Sequence, residues 1–337
     1  MPRLNVLVTA ASRRVPLVRS FRAALASAGV TGRIVATDVN PWSPAVHVAD
    51  AAYRVPLSTS PAYLDEIRQV CQRERIGLVV PTIDDELPVF AAAAASFARD
   101  GIRVAVSPYE TTIVCNDKAE TCRHLRWHGV AAAESFLPGE LPAAPRFPLF
   151  IKPRTGRGSV GAFPVRNRRE LDFFAAYVPD PVVQEYLEGP EFTLDVFCAF
   201  SGEVLAVVPR ERVVIRAGVI DRGRTVRDPA LIELGIACAR ALRFAGPINV
   251  QCRLTRHGPT VFEINPRFSG GIPLTIAAGA DFPRWLVELT LGRPVAPAIG
   301  AFTDGLWMTS FEEAFFLPEA ASAVLQDARA AAALPVP

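Results

Sequence analysis

Lysine is nearly missing from this chain. Of 36 basic residues among 337, two are lysine, Lys118 and Lys152, and the other 34 are arginine. Codon preference accounts for arginine across a surface. The two exceptions are either chance within that preference or positions that need a compact ammonium, since arginine's planar fork does not replace a point charge against crowded phosphate oxygens. An excess of charge is missing too: 36 basic against 34 acidic residues give +2. That balance excludes nucleic acid or a membrane surface as the main partner and confines anion binding to a local site. No apolar run approaches the ~20 residues of a membrane helix, and the short N-terminal stretch Asn5–Ala11 runs into Arg13-Arg14 without the form of a targeting segment. The six cysteines (Cys71, Cys115, Cys122, Cys198, Cys238 and Cys252) make no C-x-x-C pair and no spacing typical of a zinc site or disulfide scaffold. A reducing cytoplasm is therefore the expected location.

Half of the residues are apolar and 21% are charged, a composition that buries a core. At roughly 150 residues per domain the length predicts about two domains, as two or three lobes. The first hundred residues alternate strand and helix signals. Strands are expected at Leu4–Thr9, Arg33–Thr37, Gly77–Pro81 and Arg103–Ser107, and helices at Val15–Ala28, Tyr63–Glu74 and Val89–Arg99. Repeated β-α-β units imply a parallel sheet with ligands at the carboxyl ends of its strands. Those ends carry Arg13 and Arg14, Asp38, and Asp84, a polar crevice for a small substrate. Asp38 stands where a dinucleotide-binding domain keeps its ribose acid, but the first turn has no G-x-G-x-x-G, so dinucleotide binding is set aside.

The pattern changes at Asn116. A helix opens there with Asn116 or Asp117 as its cap and ends at Gly129. His124 and His128 lie four apart on it and, with no third ligand in view, are read as packed or solvated rather than metal-bound. A proline-rich loop, Leu137–Pro148, leads into the strand Leu149–Lys152. Gly156, Gly158, Ser159 and Gly161 follow directly, either a simple turn between two strands or a loop whose backbone N–H groups close over phosphates. Val182–Asp195 reads as strand, Gly-Pro turn and strand. It is either an ordinary hairpin or an extended segment, Glu185 to Leu187, that reads an adenine, with Glu191 placed for a ribose diol. Further on, Gln251 lies on one strand, and Glu263 and Asn265, two apart, share a face of the next. Three oxygen side chains of this kind suit Mg²⁺ (or Mn²⁺) together with nucleotide phosphates. Arg267 follows within reach of a transferring phosphoryl group or a substrate carboxylate. Arg210 and Arg216 are further candidates for that contact, or else solvated strand arginines.

As an ordered set these motifs resemble the ATP-grasp superfamily, and within it ligases similar to the carbamoyl phosphate synthase large subunit, over roughly Leu4 to Met308. The resemblance implies an α/β (α+β) chain: an N-terminal parallel-sheet, Rossmann-like pre-ATP-grasp domain followed by a two-lobed ATP-grasp fold. The implied boundaries are 1–108 for the substrate-binding domain, 109–180 for the small lobe with its phosphate loop, 181–300 for the large lobe with the metal site, and 301–337 for an extension and tail. It implies ATP and Mg²⁺ as cofactors, phosphates on Lys118 and Lys152, adenine at Glu185 and Leu187, ribose at Glu191, and metal on Gln251, Glu263 and Asn265. Gln251 and Asn265 depart from the two acids of many relatives and leave metal number open. The absence of a duplicated half and of an amidotransferase domain excludes a complete carbamoyl phosphate synthetase. The implied activity is an ADP-forming ligase joining a small carboxylate to an amine or thiol; a small-molecule kinase and a non-catalytic ATP-binding regulator are the alternatives. A homodimer is admitted as the assembly.

Overall fold

The computed structural model describes residues 1–317 except 157 and 159, together with the backbone of residues 326 and 327. The chain forms two compact units. One holds Met1–Tyr109, Asp281–Ala296 and the described residues from Phe311 onward; the other holds Glu110–Ala280 and Pro297–Ser310.

The first unit is built from β1 (Asn5–Val8), α1 (Val15–Ser27), β2 (Ile34–Asp38), β3 (Ala51–Arg54), α2 (Tyr63–Arg73), β4 (Ile76–Val80), α3 (Leu87–Arg99) and β5 (Arg103–Val104). The strands lie parallel in the order β3-β2-β1-β4-β5. Every residue of β1 and β2 is buried, which explains why they read as continuous apolar runs instead of alternating ones. Leu7, Val35 and Val79 pack with Ile67, Phe90 and Phe97 from the helices. Strand β3, whose Ala51-Ala52 carries no β-branched signal, is the one strand of this series that sequence periodicity misses.

The second unit begins with α4 (Tyr109–Asn116) and α5 (Lys118–Trp127). Asp117 separates them and caps α5, its Oδ1 accepting from the N–H groups of Ala119 (2.9 Å) and Glu120 (3.1 Å). A four-stranded antiparallel sheet follows, formed by β6 (Ser135–Phe136), β7 (Leu149–Pro153), β8 (Phe163–Val165) and, after α6 (Arg168–Tyr177), β9 (Pro181–Glu185). The larger antiparallel sheet comprises β10 (Glu191–Cys198), β11 (Val204–Arg216), β12 (Val219–Thr225), then, past α7 (Pro229–Leu242), β13 (Gly246–Thr255) and β14 (Gly258–Asn265). Its order is β14-β13-β10-β11-β12. One face of this sheet is apolar: Phe192, Leu194, Val250 and Ile264 pack on α7 through Leu231, Cys238 and Leu242, and on Cys122 and Leu125 of α5.

After α8 (Ile272–Ala277) the chain returns to the first unit as α9 (Phe282–Thr290), leaves to add β15 (Trp307–Thr309) beside β12, and returns again, where β16 (Gln326–Asp327) extends the parallel sheet next to β3. The observed units are not contiguous, unlike the division expected from sequence: residues 281–296 and the described residues from Phe311 onward join the first unit, and 301–310 the second. The physical reason at 281–296 is α9, whose buried Phe282, Leu286 and Val287 form an apolar stripe that packs on α1.

Candidate nucleotide and metal site

The second face of the large sheet is polar, and this is what the alternation of strand residues builds. Register pairs Asn249 with Asn265 and Gln251 with Glu263 across β13 and β14, and Thr193 with Gln251 and Asp195 with Asn249 across β10 and β13. All of these side chains therefore share one face. Asn265 donates from Nδ2 to Glu263 Oε1 (3.1 Å), and its Oδ1 accepts from Arg267 Nη2 (3.0 Å). The buried Asn249 Oδ1 has no hydrogen-bond partner. Glu263 is the sole carboxylate among Gln251, Glu263 and Asn265, and the set is all hard oxygen, which fits a Mg²⁺ that completes its shell with water and phosphate.

Both lysines converge on this unit. Lys152, buried on β7, donates to the Phe262 carbonyl (3.1 Å) and lies 3.8 Å from Glu263 Oε2. Burial pushes its ammonium below the ordinary lysine range, and the Glu263 carboxylate opposes that shift. Lys118, buried in the first turn of α5, donates from Nζ to the Gly156 carbonyl (2.8 Å). Arg154, two residues past Lys152, donates from Nε to Asp117 Oδ2 (2.7 Å), tying the base of the glycine loop to the cap of α5. Gly156, Gly158 and Gly161 all have positive φ, at 103°, 74° and 71°, a backbone that glycine adopts without strain. Ser159 lies outside the described residues.

The two strands read on either side of the Gly-Pro turn do not pair with each other, so the segment is not a hairpin. Strand β9 pairs with β6 and β7, whereas β10 pairs with β11 and β13, so residues 186–190 run between two sheets. Glu185 accepts the Glu134 N–H on its carboxylate (2.8 Å), and Leu187 packs against the apolar core of the large sheet. Glu191 is held by two guanidinium groups, Arg212 Nη1 at 2.6 Å and Arg253 Nη2 at 2.9 Å.

The remaining candidates divide. Arg210 is 1% exposed and engages both carboxylate oxygens of Asp195 (2.7 and 3.0 Å) and Ser269 Oγ (3.0 Å), so it stands as an internal brace rather than an open phosphate contact. Arg216 is exposed and pairs with Asp221 at 3.1 Å, beyond two register shifts that follow Arg212. Arg13, Arg14, Asp38 and Asp84 all lie in the first unit. Asp38 is buried and accepts the Ser12 (2.6 Å) and Asn40 (2.9 Å) N–H groups, Asp84 is buried, Arg14 donates to the Thr82 carbonyl (3.1 Å), and exposed Arg13 sits 3.8 Å from Glu312. His124 and His128 stack on each other with ring centroids 4.3 Å apart, His124 facing the Ala241 carbonyl. Sequence reading missed Arg212, Arg253 and Asn249. Their signal was alternation: Asn249 and Arg253 flank Gln251 at two residues, and Arg212 follows Arg210 at the same spacing.

Two antiparallel sheets bearing a buried lysine, a glycine loop and an acid–amide strand pair, with a second buried lysine on α5, have the ATP-grasp fold. Residues 177–314 match the family described as ATP-grasp in the biosynthetic pathway with Ter operon, and residues 6–105 match the PylC-like N-terminal domain. The chain thus carries an ATP-grasp domain after a PylC-like N-terminal domain. It is 25% identical over 310 residues to the 3-methyl-D-ornithine–L-lysine ligase of Methanosarcina barkeri, covering 90% of this chain and 74% of that one. It is 21% identical over 313 residues to the carbamoyl phosphate synthase large chain of a Thermoanaerobacter species, covering 84% of this chain and 28% of the relative, so it spans under a third of that protein's length. The biotin carboxylase domain of Hydrogenobacter thermophilus 2-oxoglutarate carboxylase, solved with MgADP, ADP and bicarbonate, shares the fold at a TM-score of 0.67 and 17% identity, covering 90% of this chain and 73% of that chain. Among the described residues no helix is long and apolar enough to cross a membrane.

Proposed function

We propose that this protein is an ATP-dependent ligase that activates a small-molecule carboxylate as an acyl phosphate and joins it to an amine or other nucleophile, releasing ADP and phosphate. The observation that carries this reading is the placement of the two lysines. A chain that uses arginine at 34 of its 36 basic positions buries both ammonium groups in the unit bearing the Glu263–Asn265 pair, one of them 3.8 Å from Glu263. The ligase named in Methanosarcina barkeri and the carbamoyl phosphate synthases support the same reaction class.

In this reading Lys118 and Lys152 neutralise ATP phosphates, and the loop through Gly156, Gly158 and Gly161 excludes water from the transfer. Glu185 and Leu187 border the adenine and Glu191 accepts from the ribose. Gln251, Glu263 and Asn265 would hold Mg²⁺ or Mn²⁺, which when bound offsets charge on the phosphates. Arg267, steadied by Asn265, faces the transferred phosphoryl group or the carboxylate. In the first unit Arg14, Asp38 and Asp84, near the carboxyl ends of parallel strands, serve a small polar substrate; Arg13 and Arg216, both exposed, are the weaker candidates. The test is ADP release across a matrix of carboxylic acids and amines. ADP that appears only when acid and amine are both present supports the ligase. ADP formed with one hydroxylated acceptor alone assigns a kinase, and no release from any pair, with ATP bound, assigns a nucleotide-binding regulator.

A further inference from the structure

Arg212 has no role in the reading above, yet it touches two residues of the site and a turn that meets the glycine loop. Its side chain is 6% exposed. Nη1 donates to Glu191 Oε1 (2.6 Å) and reaches Gln251 Oε1 (3.4 Å), while Nη2 donates to the Gly218 carbonyl (2.8 Å). The other Glu191 oxygen belongs to Arg253, whose Nη1 holds the Gly189 carbonyl at 2.8 Å. Burial lowers the pKa of the Arg212 guanidinium, with Glu191 opposing, so the charge sits there because its partners hold it.

The turn on its far side is tight. Arg216 pairs with Val219, leaving Ala217 and Gly218 as a two-residue hairpin loop with φ of 49° and 74°. Two successive positive φ values are the signature of a type I′ turn, and alanine adopts the first only under strain. A Cβ placed on Gly218 would lie 2.9 Å from the Gly158 Cα and 3.2 Å from its carbonyl oxygen. Backbone therefore meets backbone here: the β11–β12 turn of the large sheet backs the glycine loop that follows β7, and glycine is required where they touch.

We infer that Arg212 is a positioning residue that holds the nucleotide-side carboxylate Glu191 and the Gly158 end of the phosphate loop in one register, by way of the Gly218 carbonyl. It contacts neither the transferred phosphoryl group nor the attacking nucleophile. This inference rests on the ATP reading for its catalytic consequence, but not for the contact itself.

The test uses the full-length protein, hydrogen exchange across residues 153–163, and binding of a non-hydrolysable ATP analogue with Mg²⁺. Without any nucleotide, Arg212→Met and Gly218→Ala should both speed exchange in this segment, and Arg212→Lys should restore part of the protection. With the analogue, Gly218→Ala should bind within about threefold of the parent, since Glu191 keeps both arginines, but should not regain the slowed exchange. Its kcat should fall by about ten- to a hundredfold, the scale of a small displacement of a catalytic loop. Arg212→Met should in addition raise KM for ATP. Exchange unchanged in both variants without nucleotide overturns the brace. So does Gly218→Ala with parental kcat. Analogue binding absent from the parent protein refutes the ATP reading and leaves the nucleotide-free exchange to decide the brace. Should Arg212→Met not fold, Gly218→Ala carries the test alone.

Discussion

At the scale of single residues, scarcity was informative. Two lysines among 36 basic residues read as special only once both fell within the ordered motif set, and both are buried in the unit that carries the acid–amide strands. Lys152→Met keeps the stem and removes the charge, and should weaken ATP turnover by about ten- to a hundredfold, the size of one lost charge-assisted hydrogen bond. A surface change such as Arg146→Met should leave turnover within error, and equal rates for both variants would remove Lys152 from the site. The arginines were not legible in this way. Arg210, Arg212 and Arg216 look alike in sequence, and only the β11 register separates a buried brace, a polar link and an exposed ion pair. Glu86, in the same strand-end run as Asp84, was not distinguished by sequence. It is fully buried, with the Thr82 and Ile83 N–H groups on Oε1 and the Tyr63 hydroxyl on Oε2. Burial raises its carboxyl above the ordinary value, so the folded protein holds this proton more tightly than the unfolded chain. The help this gives to folding is complete below the ordinary carboxyl value and is lost as pH rises through the raised one. Glu86→Gln should therefore gain stability relative to the parent between pH 5 and pH 8. Denaturant midpoints that keep the same gap at both pH values would exclude a raised Glu86.

At the scale of elements, periodicity located most strands and helices of the first unit to within a few residues, because those segments are long and bury whole faces. It failed where pairing partners decide the outcome. Residues 182–195 read as two strands about a Gly-Pro turn, the pattern of a hairpin, and only the partners of β9 and β10 show that the chain crosses between two sheets there. The crossing has its own steric requirement at Gly189. With φ of 126°, a Cβ there would stand 2.1 Å from the Leu254 carbonyl oxygen, just ahead of the residue that places Glu191 at the start of β10. Gly189→Ala should lower stability by about 1–3 kcal/mol from the backbone conformation alone, before the clash is counted. It should also weaken nucleotide affinity, because Arg253 reaches both Gly189 and Glu191. A thermal transition that does not move on this substitution contradicts the crossing geometry. The type I′ turn at Ala217-Gly218 was invisible for a related reason: alanine is not a residue that announces a left-handed backbone.

At the scale of the whole molecule, the sequence reading recovered the class of both units, and the chain's return through α9 was the feature it lacked, since a helix does not declare which unit its apolar stripe covers. The reaction proposed for the chain depends on which phosphate of ATP is attacked, and the charges of the second unit bear on that choice. Lys152 lies beside Glu263 and Arg267 beside Asn265, while Lys118 holds the glycine loop; in the proposed reading all three serve the nucleotide's terminal phosphates. Attack at the γ position gives ADP and an acyl phosphate; attack at the α position gives AMP, pyrophosphate and an adenylate. With the correct acid, hydroxylamine in place of the amine should capture the activated carboxylate as a hydroxamate, in step with ADP. Glu263→Gln should abolish both signals together, because it removes the one ionised group among Gln251, Glu263 and Asn265 and leaves Mg²⁺ without a carboxylate. AMP accumulating with the hydroxamate would overturn γ attack, and a Glu263→Gln variant with parental ADP release would place the metal on other ligands.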